Sequence, residues 1–476
     1  MHRALRGLIA AIVTGGLALG LPAPAGAVPS RQWPVTPAAL GSLYGSVTED
    51  FASLRIWGPA AWCYIQPTPD ADIEGNLEAL VAPQLDQVAA AGGTATLTIG
   101  HPPPWVFENH PDAVRKTPTW SCGDHAAGRA IPSLASLKPR KDGSRSVQAQ
   151  RLHDYVSRVI DYLDRRYQGR VPIVLELWNE PNIPAGLEPG MPIPGSARTA
   201  KEAALSLHAY DAIAFDLIRQ KRATSWLSLA SSTTILRWDT FTKTYFAAHN
   251  RSRKIDAVHF NLYSYNIKSV DAAVKKWDKR AALATTPLRT YRKLRNLPIR
   301  LSEVNLNLIN HDSPANIRPS FANEAAQRRM ATSTQMNAYF HGISAMRWLI
   351  PWRNIQTAVH VQTVAGNPAH DALVVLHRSL LGSTSTGCRQ VTGVRMCRFR
   401  APDGTRTVMW RLAGSSVVRS PHGGELLDMA GASRPVRKGQ KIRIDTTPVV
   451  IRPVQTPLAA VRPVSPAPTP TTPDLG

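Results

Sequence analysis

The sequence predicts an α/β fold, a (β/α)8 barrel followed by a small C-terminal β-sandwich or β-sheet domain, and three stretches carry that prediction. Ile173-Val174-Leu175-Glu176-Leu177-Trp178-Asn179-Glu180-Pro181-Asn182 is an apolar run that ends abruptly in a polar cluster. Continuous Ile, Val and Leu fit a parallel strand covered on both faces, and Pro181 has no N–H to give a ladder, so pairing should stop near Glu180. Leu297-Pro298-Ile299-Arg300-Leu301-Ser302-Glu303-Val304-Asn305 is a second short apolar run ending in a glutamate, 123 residues after Glu180. That interval has room for three further β/α units. Glu180 then closes strand four and Glu303 strand seven, both on the face where such barrels keep their reactive groups. From Gly387 the texture changes to short β-rich runs separated by turns such as Pro402-Asp403-Gly404, as in a small β domain.

The cluster Trp178-Asn179-Glu180-Pro181-Asn182, with Glu303 downstream, resembles the acid/base and nucleophile strands of clan A retaining glycoside hydrolases. It is most similar to glycoside hydrolase family 39 and its secreted polysaccharide-cleaving relatives. The resemblance implies Glu180 as acid/base, Glu303 as nucleophile, and Asn179 as a hydrogen-bond partner of the sugar 2-hydroxyl. It also implies that Tyr263 and Arg55 orient Glu303 and that Trp348 floors the first subsite. An isolated Asn-Glu-Pro is an ordinary turn, and a lone Glu after a strand is ordinarily solvated. Their joint placement favours a hydrolase that works through two carboxylates.

Taken in order, Met1 to Ala27 reads as a secretory signal peptide: basic start, apolar segment from Leu8 to Leu21, and Ala25-Gly26-Ala27 at the cleavage site. Leu40 to Val47 is the weakly marked first strand of a barrel expected over residues 28–383. Ser53-Leu54-Arg55-Ile56-Trp57-Gly58 is the second, with Arg55 either a support for the nucleophile or a structural ion-pair partner inside the barrel. Gln84 to Ala91 reads as a helix with Pro83 at its start and Gly92-Gly93 at its stop. Thr94 to Gly100 is strand three, running into His101-Pro102-Pro103-Pro104-Trp105. Trp105 is placed to stack on a sugar ring or to anchor the loop, and His101 is grouped with it.

Residues 106–145 are irregular, and a loop of that length inside a compact domain is usually functional. Leu152, Tyr155, Val156, Val159, Ile160, Leu163 and Tyr167 recur at helical spacing across 147–168. After a Pro/Gly loop from Ile183 to Ser196, Lys201 to Arg222 reads as a helix and Ser225 to Ala230 as strand five. Ile255 to Tyr263 is strand six, whose His259 and Tyr263 resemble the pair that the clan places beside its carboxylates. Asn323 to Phe340 is helical, Gly342 to Trp348 is strand eight, and Pro368 to Leu381 is the closing helix. Trp352 competes with Trp348 as the sugar platform, and either also suits the core. The β domain is expected over 384–455, followed by a Pro/Thr-rich disordered tail, 456–476.

Four cysteines in an exported chain suggest pairing, and four allow three connectivities. Proximity favours Cys388 with Cys397 across a hairpin, leaving Cys63 with Cys122. The sequence contains no Cys-x-x-Cys, His-Glu-x-x-His or calcium-loop pattern, so neither metal nor cofactor is expected, and no stretch after the leader is apolar enough to span a bilayer. The formal charge of +23 becomes +21 once Arg3 and Arg6 leave, which favours anionic surfaces. The basic residues form no aromatic-interleaved patch, which disfavours nucleic acid. The expected partner is a carbohydrate, with an anionic or cell-envelope polysaccharide fitting a secreted monomer, although a basic composition without a specific partner accounts for the charge equally. The competing functional class is a catalytically silent barrel that binds cell-envelope polysaccharide.

Overall fold

In the computed structural model of the 476-residue chain, the described residues are 32–43, 46–107, 122, 131–182, 197–221, 223–235, 238–264, 269–306, 323–350, 359, 361 and 365–454. The leader, the Pro/Thr-rich tail, the 183–196 loop, most of the 106–145 loop, Tyr44 and Trp352 lie outside them.

The barrel strands are β1 (Leu40–Leu43), β2 (Ser53–Ile56), β3 (Thr94–Thr98), β4 (Ile173–Glu176), β5 (Leu227–Leu229), β6 (Thr234–Ile235), β7 (Val258–Ser264), β8 (Ile299–Leu306) and β9 (Ile343–Leu349). All pair in parallel in the order β5-β4-β3-β2-β1-β9-β8-β7-β6. β5 and β6 are two halves of one bent strand: β5 pairs with β4, Ala230 bridges Ala257, and β6 pairs with β7. The sheet therefore closes as an eight-stranded barrel, the predicted fold class. At the bend, the Ser231 and Thr233 amides donate to Ala257 O and Trp178 O, and the Ser232 amide donates to the Tyr245 hydroxyl. Small buried side chains let the backbone turn here without stranding its polar groups.

The helices form where an apolar stripe follows a capping residue. Ser146, Thr199, Asp239, Ser269, Asn323 and Asn367 each accept an amide from the first turn of the helix they begin. Helix Val147–Tyr167 buries the whole predicted stripe, from Leu152 to Tyr167, against the barrel. Each large apolar side chain so covered contributes roughly 1.5–3 kcal/mol. Helices Ile73–Leu80, Thr240–Arg251 and Val270–Thr290 complete the ring at positions the sequence reading left unassigned. Strand four is shorter than predicted. It stops at Glu176, and beyond it only an isolated bridge joins Asn179 to Thr233.

The C-terminal strands are β10 (Thr384–Val391), β11 (Val394–Ala401), β12 (Gly404–Arg411), β13 (Ser416–Arg419), β14 (Gly424–Leu427), β15 (Ser433–Val436), β16 (Lys441–Ile444) and β17 (Val449–Arg452). They make an antiparallel sheet, β10-β11-β12-β17-β14-β15, and a two-stranded ladder, β13-β16. One face of the larger sheet packs Phe399, Val408 and Trp410 against Met336, Tyr339, Leu376 and Leu380 of the last two barrel helices. Its other face meets Val418, Ile442 and Ile444 of the small ladder. At the junction with the barrel, Arg395 on β11 forms a buried two-point ion pair with Asp278 of helix Val270–Thr290, and His341 Nε2 lies 2.7 Å from the same carboxylate. Both predicted disulfides are formed, Cys63–Cys122 and Cys388–Cys397, the second between directly opposed residues of β10 and β11. Among the described residues no helix is long and apolar enough to cross a membrane.

Candidate active site

Strand alternation turns Arg55 of β2 and Glu176 of β4 into the barrel, where neither side chain reaches solvent. Glu176 is the hub. Its Oε2 accepts from Arg55 Nε at 3.0 Å and from the Thr98 hydroxyl at 2.9 Å. Its Oε1 accepts from the Thr233 hydroxyl at 2.8 Å, from the Ser302 hydroxyl, and lies 2.5 Å from His259 Nδ1. Burial alone would raise this carboxyl, but the Arg55 guanidinium and the His259 and Ser302 hydrogen bonds outweigh it and hold Glu176 well below the usual carboxylate range. Burial lowers His259 to about 4, so the ring is neutral near pH 7 and its Nδ1–H serves as donor.

Arg55 carries this anchor upward. Its Nη2 donates to Asn179 Oδ1 at 2.9 Å and its Nη1 to Glu303 Oε2 at 3.2 Å. Register places Asn261 of β7 directly opposite Glu303 of β8. The Asn261 amide nitrogen lies 2.7 Å from Glu180 Oε1, 3.2 Å from Glu303 Oε2 and 3.3 Å from Asn179 Oδ1. Two carboxylates that share one nitrogen have the two bonded oxygens no more than about 6 Å apart, close enough to act on one glycosidic bond. Burial raises both carboxyls, and the charge of Glu180 raises Glu303 further, while Arg55 and Asn261 oppose the shift in each.

The backbone at this point is strained. Glu180 has φ 50° and His101 has φ 64°, left-handed values that side-chain-bearing residues rarely adopt. Glu180 is held there by its amide, which donates to Thr233 O at 2.6 Å across the bend of strand five. Gly100 permits the neighbouring contact, because a Cβ there would lie 1.4 Å from Leu177 O. That close approach brings His101 Nε2 to 3.3 Å from the Asn179 amide, which it can accept because burial lowers the ring to about 3.

Glu180, Glu303, Asn179, Arg55 and His101 thus lie in one bonded cluster, and His259 joins it one layer deeper, on Glu176. Tyr263 packs with Leu43, Trp57 and Leu349 at the C-terminal ends of the strands. Trp348 is fully buried in the main core and presents no accessible ring face. Trp105 sits edge-on to Trp62 at 6.0 Å, donates to Gln66 O at 3.2 Å, and has the Arg151 guanidinium 5.5 Å from its ring centroid. Glu176 and Asn261 are the side chains of this cluster that sequence reasoning missed, together with the hydroxyls of Thr98, Thr233 and Ser302.

No protein-family model matches the sequence, and no curated protein matches it either. Among solved structures the chain is similar to a family 39 glycoside hydrolase from the gut symbiont Bacteroides cellulosilyticus WH2, at 14% identity over 88% of this chain and 81% of that one, with a TM-score of 0.53. It is also similar to a glucosidase from Croceicoccus marinus, at 12% identity over 89% of this chain and 96% of that one, with a TM-score of 0.51. A third is a 4-O-alpha-L-rhamnosyl-beta-D-glucuronidase from Fusarium oxysporum 12S, at 11% identity over 89% and 98%, with a TM-score of 0.51. At these identities the likeness carries the fold alone, a (β/α)8 barrel with an appended β region.

Proposed function

We propose that this chain is a secreted retaining glycoside hydrolase that cleaves O-glycosidic bonds of a polysaccharide or oligosaccharide by double displacement. The observation that carries the reading is the Asn261 amide shared by Glu180 and Glu303. Glycosidic cleavage passes through an oxocarbenium-like state, which needs a proton on the leaving oxygen and negative charge beside the anomeric carbon. A close carboxylate pair meets both needs. Mutual repulsion in a buried setting leaves one proton between the two carboxyls near neutral pH. Double displacement assigns that proton to Glu180, which protonates the departing oxygen and then accepts a proton from the incoming water, while Glu303 reacts in its ionised form beside Arg55. Glu303 attacks the anomeric carbon and forms the glycosyl-enzyme. Asn179, held by Arg55, is oriented to bond the sugar 2-hydroxyl.

Export rests on the leader-like Met1 to Ala27 segment together with the two disulfides. We further propose residues 28–383 as the catalytic unit, 384–455 as the accessory unit, and an anionic or cell-envelope polysaccharide as the substrate class favoured by the +23 charge. The test is digestion of a polysaccharide panel by the mature protein, with mass spectrometry of the protein after exposure to a slow fluoro-sugar substrate. A mass increase of one glycosyl unit located on the Glu303 peptide is expected. Binding to a polysaccharide without any product, and without a trapped adduct, would assign the chain to a silent binding barrel instead.

A further inference from the structure

We infer that the outer face of the β13/β16 ladder is a docking surface for a linear polysaccharide bearing negative charge along its backbone, separate from the carboxylate pair. The choice of polymer class rests on the glycosidase reading above. The surface itself rests on charge and register.

Residues 384–455 hold thirteen Lys and Arg against four Asp and Glu, a net charge of +9. All four acids are engaged locally. Asp403 and Glu425 pair with Arg406 and Arg452, while Asp428 and Asp445 accept turn amides from Ala430, Ala432 and Thr447. Three of the cations stand on the small ladder, and two more on the turn beside it. The ladder's inward side chains, Val418, Ile442 and Ile444, pack onto the larger sheet. Its outward ones are Val417, Arg419, Lys441 and Arg443, all exposed, with Arg419 directly opposite Lys441 and Val417 directly opposite Arg443. The turn bearing Arg437 and Lys438 folds against the same edge, where Gly439 N donates to Ser420 O and Arg419 Nη1 donates to Gly439 O at 3.2 Å.

Like charges directly across a ladder destabilise it. Among the described residues, none of these five cations has an ion-pair partner within the chain. A polyanion laid along the ladder supplies the missing countercharge to several at once. The surface recognises charge rather than rings, because both aromatic residues of this region, Phe399 and Trp410, are fully buried. Single-stranded nucleic acid sites depend on exposed aromatic stacking, which this face does not offer. The ladder lies on the side of the sheet opposite the barrel helices, so a bound chain there leaves the carboxylate pair open.

The experiment compares binding of the full mature chain to polygalacturonate and to its fully methyl-esterified form, which has the same backbone without charge. Wild type is expected to retain polygalacturonate in affinity electrophoresis at low salt, to release it at high salt, and to ignore the ester. The double variant Lys441→Glu/Arg443→Glu should bind at least about tenfold more weakly. Its melting temperature should be unchanged or raised, because the first substitution sets opposite charge across from Arg419. Glu303→Gln should bind the polymer as wild type does. Equal retention of both polymers, full retention by the double variant, or a preference for single-stranded DNA over polygalacturonate would each overturn the proposal. Failure of the glycosidase reading is scored separately, by hydrolysis of the polysaccharide panel.

Discussion

Arg55 and Glu176 form an ion pair of 2.9 Å in which neither side chain has any exposure to solvent. Such a pair adds little net stability, since desolvation consumes most of the attraction, but removing one partner strands the other. What the pair supplies here is position: with Nε and Nη2 both on Glu176, the guanidinium also presents Nη2 to Asn179 and Nη1 to Glu303.

Glu176→Gln should therefore lower stability by about 3–5 kcal/mol in chemical denaturation. If the protein still folds, kcat should fall about 10²-fold as Arg55 shifts away from the carboxylates. A purely structural role would move nothing further. Because the Glu176 charge helps raise Glu303, its loss should also move the acid limb of kcat/KM to lower pH. An unshifted limb would separate Glu176 from the reacting pair.

The raised carboxyl of Glu303 works against the fold at neutral pH. A carboxyl raised in the folded state stabilises fully below its unfolded value of about 4.3, and that contribution is lost as pH rises through the folded value. Glu303→Gln removes the ionisation altogether. Its melting temperature should match wild type in mild acid and exceed it by a few degrees near pH 8, the ordinary exchange of activity for stability. A gain that is largest in acid would contradict the burial of an ionised Glu303. Glu176 has the opposite sign: depressed in the fold, it stabilises above the unfolded value and loses that contribution as pH falls below it.

Asn261→Ala removes a donor common to both carboxylates. Since that amide lowers both groups, its loss should raise both, move the pH optimum upward and reduce kcat roughly 10²- to 10³-fold. KM for a small aryl glycoside should change much less than kcat.

Glu180→Ala should still form the glycosyl-enzyme on substrates whose leaving group needs no proton, and azide should rescue the second step. The azide product should keep the substrate's anomeric configuration. An inverted product would show that Glu180 does not hold the acid/base role.

The barrel was legible because its strands are short apolar runs separated by capped amphipathic helices, and Glu180 and Glu303 were legible because each ends such a run. Glu176 was overlooked for the same reason: it sits inside the apolar run instead of at its end. A charge in a strand covered on both faces nevertheless requires a partner, and Arg55, equally enclosed in Ser-Leu-Arg-Ile, was available to meet it. Asn261 lies between His259 and Tyr263 at the two-residue period, so it shares their face, a signal carried by the strand itself. The bend of strand five left no such trace, because Ser231-Ser232-Thr233 has the composition of a loop while behaving as barrel wall.

The Asp278–Arg395 junction bears on how the chain comes into being. Synthesis completes the barrel wall through residue 349 before β11 leaves the ribosome, so the nascent barrel holds Asp278 with His341 and no guanidinium. Arg395, for its part, has its countercharge 117 residues behind it. The C-terminal layer is therefore no exchangeable cassette: grafted elsewhere it would bring an unmatched cation on the face that now meets the barrel, and the barrel left behind would keep an acid facing an empty seam.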